Sequence, residues 1–591
     1  MVKNLLFFFA LLVPMALSAQ EESKSTEQFL KEIDQKVPQL LHDFSIPGAA
    51  IAIIEDGEIV LQKGYGFADI EKELKVDTKT GFNIGSISKT VAAWGVMKLV
   101  HEGKIELDAP AEKYLTRWHL PESDFDSDGV TIRRLLSHTA GLSLHSVSAG
   151  PPYDNLPTLE DWLLGKNNGL GRVEIILEPG SRYKYSGGGF GVLQLIIEEV
   201  TGQTFENYMQ AQVLDPLGMT NSSYKIDDKI MAASASPYDE YGEATDFELF
   251  TAQAGAGLHT TLEDFTRFAI ASLYRHKDNE KYNPVLPTDI IQQMMGPVPP
   301  TDGRWRYGLG YQTLHMGNSM VFSGHGGANT GWLANFRVDP ASNDGFVVLT
   351  NGGAGYSICN LVFCEWVTWK SGESPWNECR PKLSIGIKLK QIIDDKGIED
   401  IATTYMTLKK EQPDDYDFSE GQLNNLGYFY MGREELEKAI AIFKINVDAF
   451  PYAFNVYDSY GEALLAQGAR EEAIENYKQS VKLNPGNANG VKVLNELGES
   501  TEDLLFKVPI KHLKRLEGEY IATHDEDWRI VVEVNSGVLK CEDRYYKFTL
   551  VPIGDDKFVN PRFGALWRFD TTDPDAKPIM LFGERKFNKV K

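Results

Sequence analysis

Residues 83–94 read NIGSISKTVAAW, and the lysine in that stretch is at odds with its surroundings. Gly85 lets the chain turn sharply, and a helix beginning at Ser86 leaves its first N–H groups without intrahelical acceptors, free to stabilise an oxyanion. Lys89 stands three residues on, so it shares a face with Ser86, with Cβ atoms about 5–6 Å apart. Ile87, Val91, Trp94, Val96, Met97 and Leu99 cover nearly every side of the same helix, which marks it as buried. An ammonium there is costly, so its pKa is expected to fall toward neutrality and the amine to serve as a base. The plainer alternative is a lysine snorkelling from a helix end. A bare Ser-x-x-Lys is common, so the chemical reading needs partners elsewhere in the chain.

Two segments offer them. In RYKYSGGGF (182–190), Tyr185 precedes a glycine run and then an apolar helix. A phenol on such a loop can face a site, or it can simply pack at the corner. In FSGHGGANTGW (322–332), glycines 324, 326 and 327 strip the side chains from a stretch of sheet edge, so a substrate backbone can pair with it as an added strand. His325 sits among those glycines. Taken alone it reads as a structural histidine, and its setting is what makes it a candidate.

The surrounding pattern predicts the frame. AAIAII (49–54), Asp56-Gly57 and EIVLQK (58–63) form a hairpin with a tight turn. WLANFRV (332–338) and GFVVLTN (345–351) are a second pair of strands. Between the pairs lie mainly helices: 86–100, 191–200 ending at Gly202, and 260–273 with Thr260 and Glu263 as a capping box. Strands at both ends of a helix-rich segment predict one largely antiparallel sheet closed by the two termini of a domain spanning 26–372. From 383 to 500 the pattern is helical with an internal period: Leu426-Gly427, Ala439, Phe443 and Pro451 recur as Tyr460-Gly461, Ala473, Tyr477 and Pro485, 34 residues apart. That period resembles tetratricopeptide repeats. Residues 506–591 alternate as a small antiparallel β domain of unknown role.

Composition narrows the function. The 591 residues carry a formal charge of −25, which repels phosphate backbones, so nucleic acid is not expected as a partner. Residues 1–19 have a lysine, a short apolar run and small residues near Ser18 and Ala19, as a cleaved secretory signal does. No cysteine follows for a lipid anchor and no later segment is apolar enough to span a bilayer, so a secreted or periplasmic chain without an integral membrane segment is expected. The cysteines Cys359, Cys364, Cys379 and Cys541 lack zinc-site spacing. Either Cys379 pairs with one of the first two or the thiols stay unpaired. No cofactor or metal is implied. Neither GxSxG, HExxH nor a phosphate-binding loop is present in the sequence.

In their order, the serine-lysine pair, the tyrosine and the glycine-rich strand resemble the penicillin-recognising serine hydrolases, with class C β-lactamases and their D-aminopeptidase and esterase relatives as the closest branch. The resemblance covers roughly residues 40 to 360 and includes IPGAAIAIIEDGEIV (46–60), LLSHTAGL (135–142), AGAGLHTTLEDFTRF (254–268) and YGLGY (307–311). It implies a multidomain α/β (α+β) chain: a β-lactamase-like domain with an antiparallel sheet flanked by helices and a helical subdomain, then the tetratricopeptide-like segment, then the small β domain. It also implies a catalytic set of Ser86, Lys89, Tyr185 and His325. Ser86 would attack a carbonyl, and Lys89 would take its proton. Tyr185, ionised or strongly hydrogen-bonded beside Lys89, would pass a proton to the leaving group. The N–H groups of Ser86 and Ala328 would form the oxyanion hole, with Gly187, Gly326 and Gly327 lining the substrate site.

Two departures shape the substrate expectation. Gly187 stands where the family's second motif often carries asparagine, and His325 where β-lactamases usually place lysine. A mostly neutral histidine weakens the grip on a substrate carboxylate. Both changes point to an ester, amide or D-amino-acid peptide, cell-wall-derived peptides among them, rather than to efficient β-lactam hydrolysis. His138 reads as a structural hydrogen-bonder, and His145 as an exposed loop residue with a place facing the cleft as its alternative. The alternative is an inactive scaffold that grips a protein or peptide on its tetratricopeptide-like helices.

Overall fold

The computed structural model describes residues 25–147, 155–300, 304–317, 319–376, 379, 381–501, 504, 506–535, 537–543, 547–560, 565–573 and 576–590. The signal expected at 1–19 lies outside the described residues. The chain divides into two compact units, one up to Pro381 and one from Lys382.

The first unit is built on one antiparallel sheet. Its strands in chain order are β1 (Gly48–Glu55), β2 (Glu58–Asp69), β3 (Leu74–Lys75), β4 (Trp305–Tyr307), β5 (Gln312–His315), β6 (Val321–Asn329), β7 (Trp332–Asp339) and β8 (Asp344–Thr350). Across the sheet they run β3-β2-β1-β8-β7-β6-β5-β4. The pairing of Ala49 with Thr350 through Ile54 with Gly345 closes the domain's beginning on its end, as the strand pattern predicts. The β1–β2 turn has φ of 50° at Asp56 and 79° at Gly57, the left-handed pair that an Asp-Gly hairpin demands.

Every residue of β1 except Glu55 is buried because helices cover both faces. On one face lie α1 (Thr26–Asp43) and, from the end of the domain, a helix over Tyr356–Ser371. Their junction includes Phe29 stacked on Trp369 at 4.4 Å. On the other lie α2 (Ile87–His101), α3 (Gly187–Thr201) packed against it, and α4 (Leu262–Ala271). The Tyr356–Ser371 helix is α5. Ala50, Ala52 and Ile54 of β1 join Phe336, Val338 and Leu349 in the core beneath α2 and α4. The α4 cap is Thr261, whose hydroxyl accepts the Asp264 N–H at 3.2 Å, one residue later than the predicted Thr260. The Thr260 hydroxyl is instead engaged with Ser222 Oγ at 2.7 Å.

Cys364 of α5 is bonded to Cys379, while Cys359 and Cys541 are free and buried.

In the second unit, α6 (Glu420–Gly432), α7 (Leu436–Ala449), α8 (Phe454–Gln467) and α9 (Arg470–Leu483) form two antiparallel pairs. Both pairs cross in the same way: a Cβ at Gly427 would meet the Phe443 ring at 2.4 Å, and one at Gly461 would meet Tyr477 at 3.1 Å. The strands between Gly518 and Lys589 close into an eight-stranded antiparallel barrel around Tyr520, Phe558, Trp567, Phe569 and Phe587. Closure leaves no free sheet edge.

Among the described residues no helix is long and apolar enough to cross a membrane.

The disulfide closes a loop of 15 residues. Its loss in Cys364→Ser is expected to cost roughly 3 kcal/mol in the chain-entropy account. Urea unfolding of the wild-type and variant chains under non-reducing conditions measures it.

Candidate active site

Ser86 is the residue at the entry of α2, with φ −62° and ψ −10°. Its side chain caps nothing in the helix, which leaves the hydroxyl available. The turn before it is fixed by side-chain amides: Asn83 Oδ1 accepts the Gly85 N–H at 2.8 Å, and the Asn329 amide donates to the same oxygen at 2.6 Å. Gly85 is left-handed at φ 51°, and a Cβ there would lie 2.5 Å from the Ala328 nitrogen. From the other side, a Cβ on Gly327 would lie 1.9 Å from the Ile84 carbonyl oxygen. Backbone thus meets backbone between β6 and the turn, and that contact sets Ala328 beside Ser86.

Lys89 is 2 % exposed. Its Nζ lies 3.2 Å from Ser86 Oγ and donates to the Gly255 carbonyl at 2.6 Å. Burial lowers its pKa to about 7, the direction expected when an ammonium loses water. A large fraction is therefore free amine at neutral pH.

Tyr185 hydrogen-bonds Ser86, and Lys89 Nζ lies 5.0 Å from its ring centre. Burial, opposed by the bond to Ser86, pushes the phenol up to about 12. Burial thus favours the neutral phenol, with Ser86 as its hydrogen-bond partner. His138, in the left-handed region at φ 58°, clamps this tyrosine. Its carbonyl accepts the Lys184 N–H at 2.7 Å, its Nδ1 accepts the Ser186 N–H at 3.1 Å, and its ring lies 4.2 Å from that of Tyr185. An Nδ1 that accepts places the proton on Nε2. The structural role read for His138 holds, and it is aimed at the site.

His325 is buried on β6, and both its ring nitrogens are engaged. A carbonyl only accepts, so Nδ1–H donates to Gly326 O at 2.5 Å, and Nε2 accepts from the Tyr307 hydroxyl at 3.0 Å. Burial, the largest influence, lowers its pKa to about 3, so it is uncharged. The imidazole walls the cleft with both ring nitrogens engaged. Gly187 departs further from expectation. It is buried in the first turn of α3, and a Cβ there would meet Val147 at 2.7 Å and the carbonyl oxygen of Ser146 at 2.9 Å. The 145–147 backbone covers it, so it does not line the cleft. His145 does, exposed at the mouth with its ring 4.9 Å from that of Tyr185.

The cleft encloses about 580 Å³ and brings Ser86, Lys89, Tyr185 and the Gly326–Ala328 stretch together. Strand β5 pairs with β6 only from Val321 to Gly324, so the edge of β6 beyond His325 has no strand on that side among the described residues. Arg337 also lines the cleft. Sequence reading missed it, because inside WLANFRV it is simply a polar residue of an alternating strand. No group of three or more metal-ligating side chains occurs among the described residues.

A family profile described as Beta-lactamase matches residues 33–357, just over half of the chain. Among curated relatives, "Protein flp" of Staphylococcus aureus (strain N315) is 28% identical over 349 residues, covering 56% of this chain and 65% of its own length. "Putative penicillin-binding protein PbpX" of Bacillus subtilis (strain 168) is 30% identical over 209 residues, 35% of this chain and 49% of its own. The chain thus spans less than two thirds of the length of these relatives. Among solved structures, the octameric penicillin-binding protein homologue from Pyrococcus abyssi aligns with a TM-score of 0.47 and 19% identity, over 95% of this chain and 100% of that one.

The contact between β6 and the turn makes a direct test. Gly327→Ala places a methyl group 1.9 Å from the Ile84 oxygen, and forcing the two backbones apart is expected to cost about 1–3 kcal/mol. Thermal unfolding reads the loss, and an unchanged melting temperature would show that the contact yields freely.

Proposed function

Because the chain belongs to the beta-lactamase family, we propose that it is a serine hydrolase forming an acyl-enzyme on Ser86. The observation that carries this reading is an amine 3.2 Å from a serine hydroxyl, buried and brought to about pKa 7. As free amine, Lys89 accepts the Ser86 proton while Oγ bonds to the substrate carbonyl carbon. The carbonyl oxygen takes the electron pair and sits against the N–H groups of Ser86 and Ala328, donors typically worth about 3–4 kcal/mol each. Collapse of the tetrahedral adduct breaks the bond to the leaving group. The Tyr185 phenol supplies the leaving group's proton, and the phenolate so formed takes back the proton held on the Lys89 ammonium. Water then attacks the ester, with Lys89 again as base, and restores Ser86.

Esters, amides and D-amino-acid peptides fit this cleft better than β-lactams do. His325 carries no charge, and the position of the family's second-motif asparagine is a glycine under the 145–147 backbone. Export through the leader at 1–19 belongs to the same proposal, as does a tetratricopeptide-like role for the 383–500 helices in holding a peptide. The matched glycine-to-aromatic crossings at Gly427 and Gly461 support the latter.

A panel of short-chain nitrophenyl esters, a D-amino acid amide, a D-alanyl-D-alanine peptide and a chromogenic cephalosporin tests the reading by kcat/KM. Turnover is expected on the first three classes, falling about 10³-fold or more in both Ser86→Ala and Lys89→Ala. Tyr185→Phe is expected to lose about 10²-fold or more. Activity that survives in Ser86→Ala, or no turnover of any member, would overturn it.

A further inference from the structure

The aromatic side chains that the first unit leaves exposed gather in one place. Among the described residues of that unit they are Tyr183, Trp305, Tyr356 and Trp376, each 37 to 57 % exposed, and all four line the cleft that holds Ser86. Apolar side chains exposed singly are ordinary on a protein surface. Rings of this size converging on one concavity are not, because together they leave a large apolar surface in water.

Tyr183 packs toward Tyr307 and His138, whereas the other three stand around a buried ring. Tyr356, Asn360 and Phe363 occupy positions i, i+4 and i+7 of α5, and all three line the cleft, so one face of that helix is turned to it. Phe363 is buried, and two indoles lean on it: Trp305 of the edge strand β4 at 6.0 Å, and Trp376 at 5.1 Å with 62° between the planes. Both indoles are held. The Arg337 guanidinium lies over the Trp305 ring, 5.5 Å from its centre. Cys379, three residues after Trp376, is bonded to Cys364, the neighbour of Phe363, so a covalent tie keeps Trp376 beside that ring.

Around this cluster the apolar side chains are aromatic. The aliphatic side chains lining the cleft among the described residues are Val147, Ala256 and Ala328. These belong to the Ser86 end: Val147 lies against Gly187 and Gly255, Ala256 follows the carbonyl that Lys89 holds, and Ala328 lies against Gly85. Rings already set in place suit a flat ring, which can stack offset or meet them edge to face and so gain beyond the area it buries. A saturated ring gains from the area alone. The 580 Å³ of the cleft has room for an aryl group together with an ester or amide at Ser86.

We propose that Trp305, Phe363 and Trp376 form a specificity pocket for an aromatic ring of the substrate, which they hold while the scissile carbonyl lies at Ser86. This rests on the hydrolase reading and narrows it to esters or amides that carry an aryl group. The disulfide then has a second task besides stability, since it fixes one wall of the pocket before any ligand arrives.

Binding to the Ser86→Ala protein separates the pocket from the chemistry, because it needs no turnover. Two uncharged amides, N-(2-phenylethyl)acetamide and N-(2-cyclohexylethyl)acetamide, are titrated by isothermal calorimetry. The phenyl compound is expected to bind about 5-fold more tightly, whereas a groove that is merely apolar would take the more hydrophobic cyclohexyl ring at least as well. The preference should fall to within about two-fold in Ser86→Ala/Trp305→Ala and in Ser86→Ala/Trp376→Ala, and persist in Ser86→Ala/Trp305→Phe, which keeps a ring. In the wild-type chain the same preference, about 5-fold, is expected in kcat/KM for 2-phenylethyl over 2-cyclohexylethyl acetate. Equal binding of the two amides, tighter binding of the cyclohexyl one, no binding of either, or a preference that survives both tryptophan-to-alanine changes would overturn the proposal. So would equal kcat/KM for the two acetates. The two-ligand comparison leaves the pocket unaltered, so it decides the matter even if a tryptophan variant does not fold. A phenyl preference in binding by a wild-type chain that hydrolyses nothing would refute the hydrolase reading and leave the ring pocket standing.

Discussion

The structure of the cleft depends on one buried amine. Lys89 Nζ is held between Ser86 Oγ and the Gly255 carbonyl, with no carboxylate as partner among the described residues. A lysine placed so is costly to the fold, because its charged form has lost water and gained little in return. Much of the surrounding architecture keeps that arrangement in place. The apolar sides of α2 seal the amine from solvent, the Asn83 and Asn329 amides fix the turn ahead of Ser86, and the glycine contact between β6 and that turn brings a second backbone to the hydroxyl. The same desolvation that weakens the fold makes the amine a base near neutral pH.

Electrostatics divides the work between neighbouring groups. Burial lowers Lys89 and raises Tyr185, so at pH 7 an amine able to accept a proton faces a phenol able to donate one. Environments that push two titratable groups apart in this way assign base and acid. His138 gives the phenol its direction through bonds to the residues on either side of it, and it can do so only while Nδ1 is unprotonated. Burial, aided by the nearby Lys89, holds its pKa well below the ordinary histidine value. The clamp therefore stays set through the neutral range.

Features carried by local sequence were legible in advance. The β1–β2 hairpin announces itself through an Asp-Gly turn between apolar runs, and the Ser86–Lys89 pair through its i, i+3 spacing. The closure of β1 on β8 followed from the position of the two strand pairs. What failed depended on distant partners. The cap falls to Thr261 because the Thr260 hydroxyl is engaged with Ser222, 38 residues away. Gly187 is covered by a segment some forty residues earlier, and His325 is made neutral by burial, with Tyr307, eighteen residues away, as a hydrogen-bond partner. Residues 506–591 read as antiparallel β, but the closure of their eight strands into a barrel is a long-range property that no single hairpin displays. Arg337 looked ordinary because its place in the cleft is visible only once the cleft is assembled.

The central claim, that an unprotonated Lys89 activates Ser86, is tested most directly by the pH dependence of covalent capture. A fluorophosphonate is allowed to react with the intact chain, and the rate of mass gain is followed from pH 5 to pH 9 by intact-mass spectrometry, with the labelled peptide sequenced. The account predicts modification at Ser86 with a rate that rises through an inflection near the Lys89 pKa of about 7 and then levels. A label on another residue, or a rate at Ser86 that does not change across that range, would contradict it.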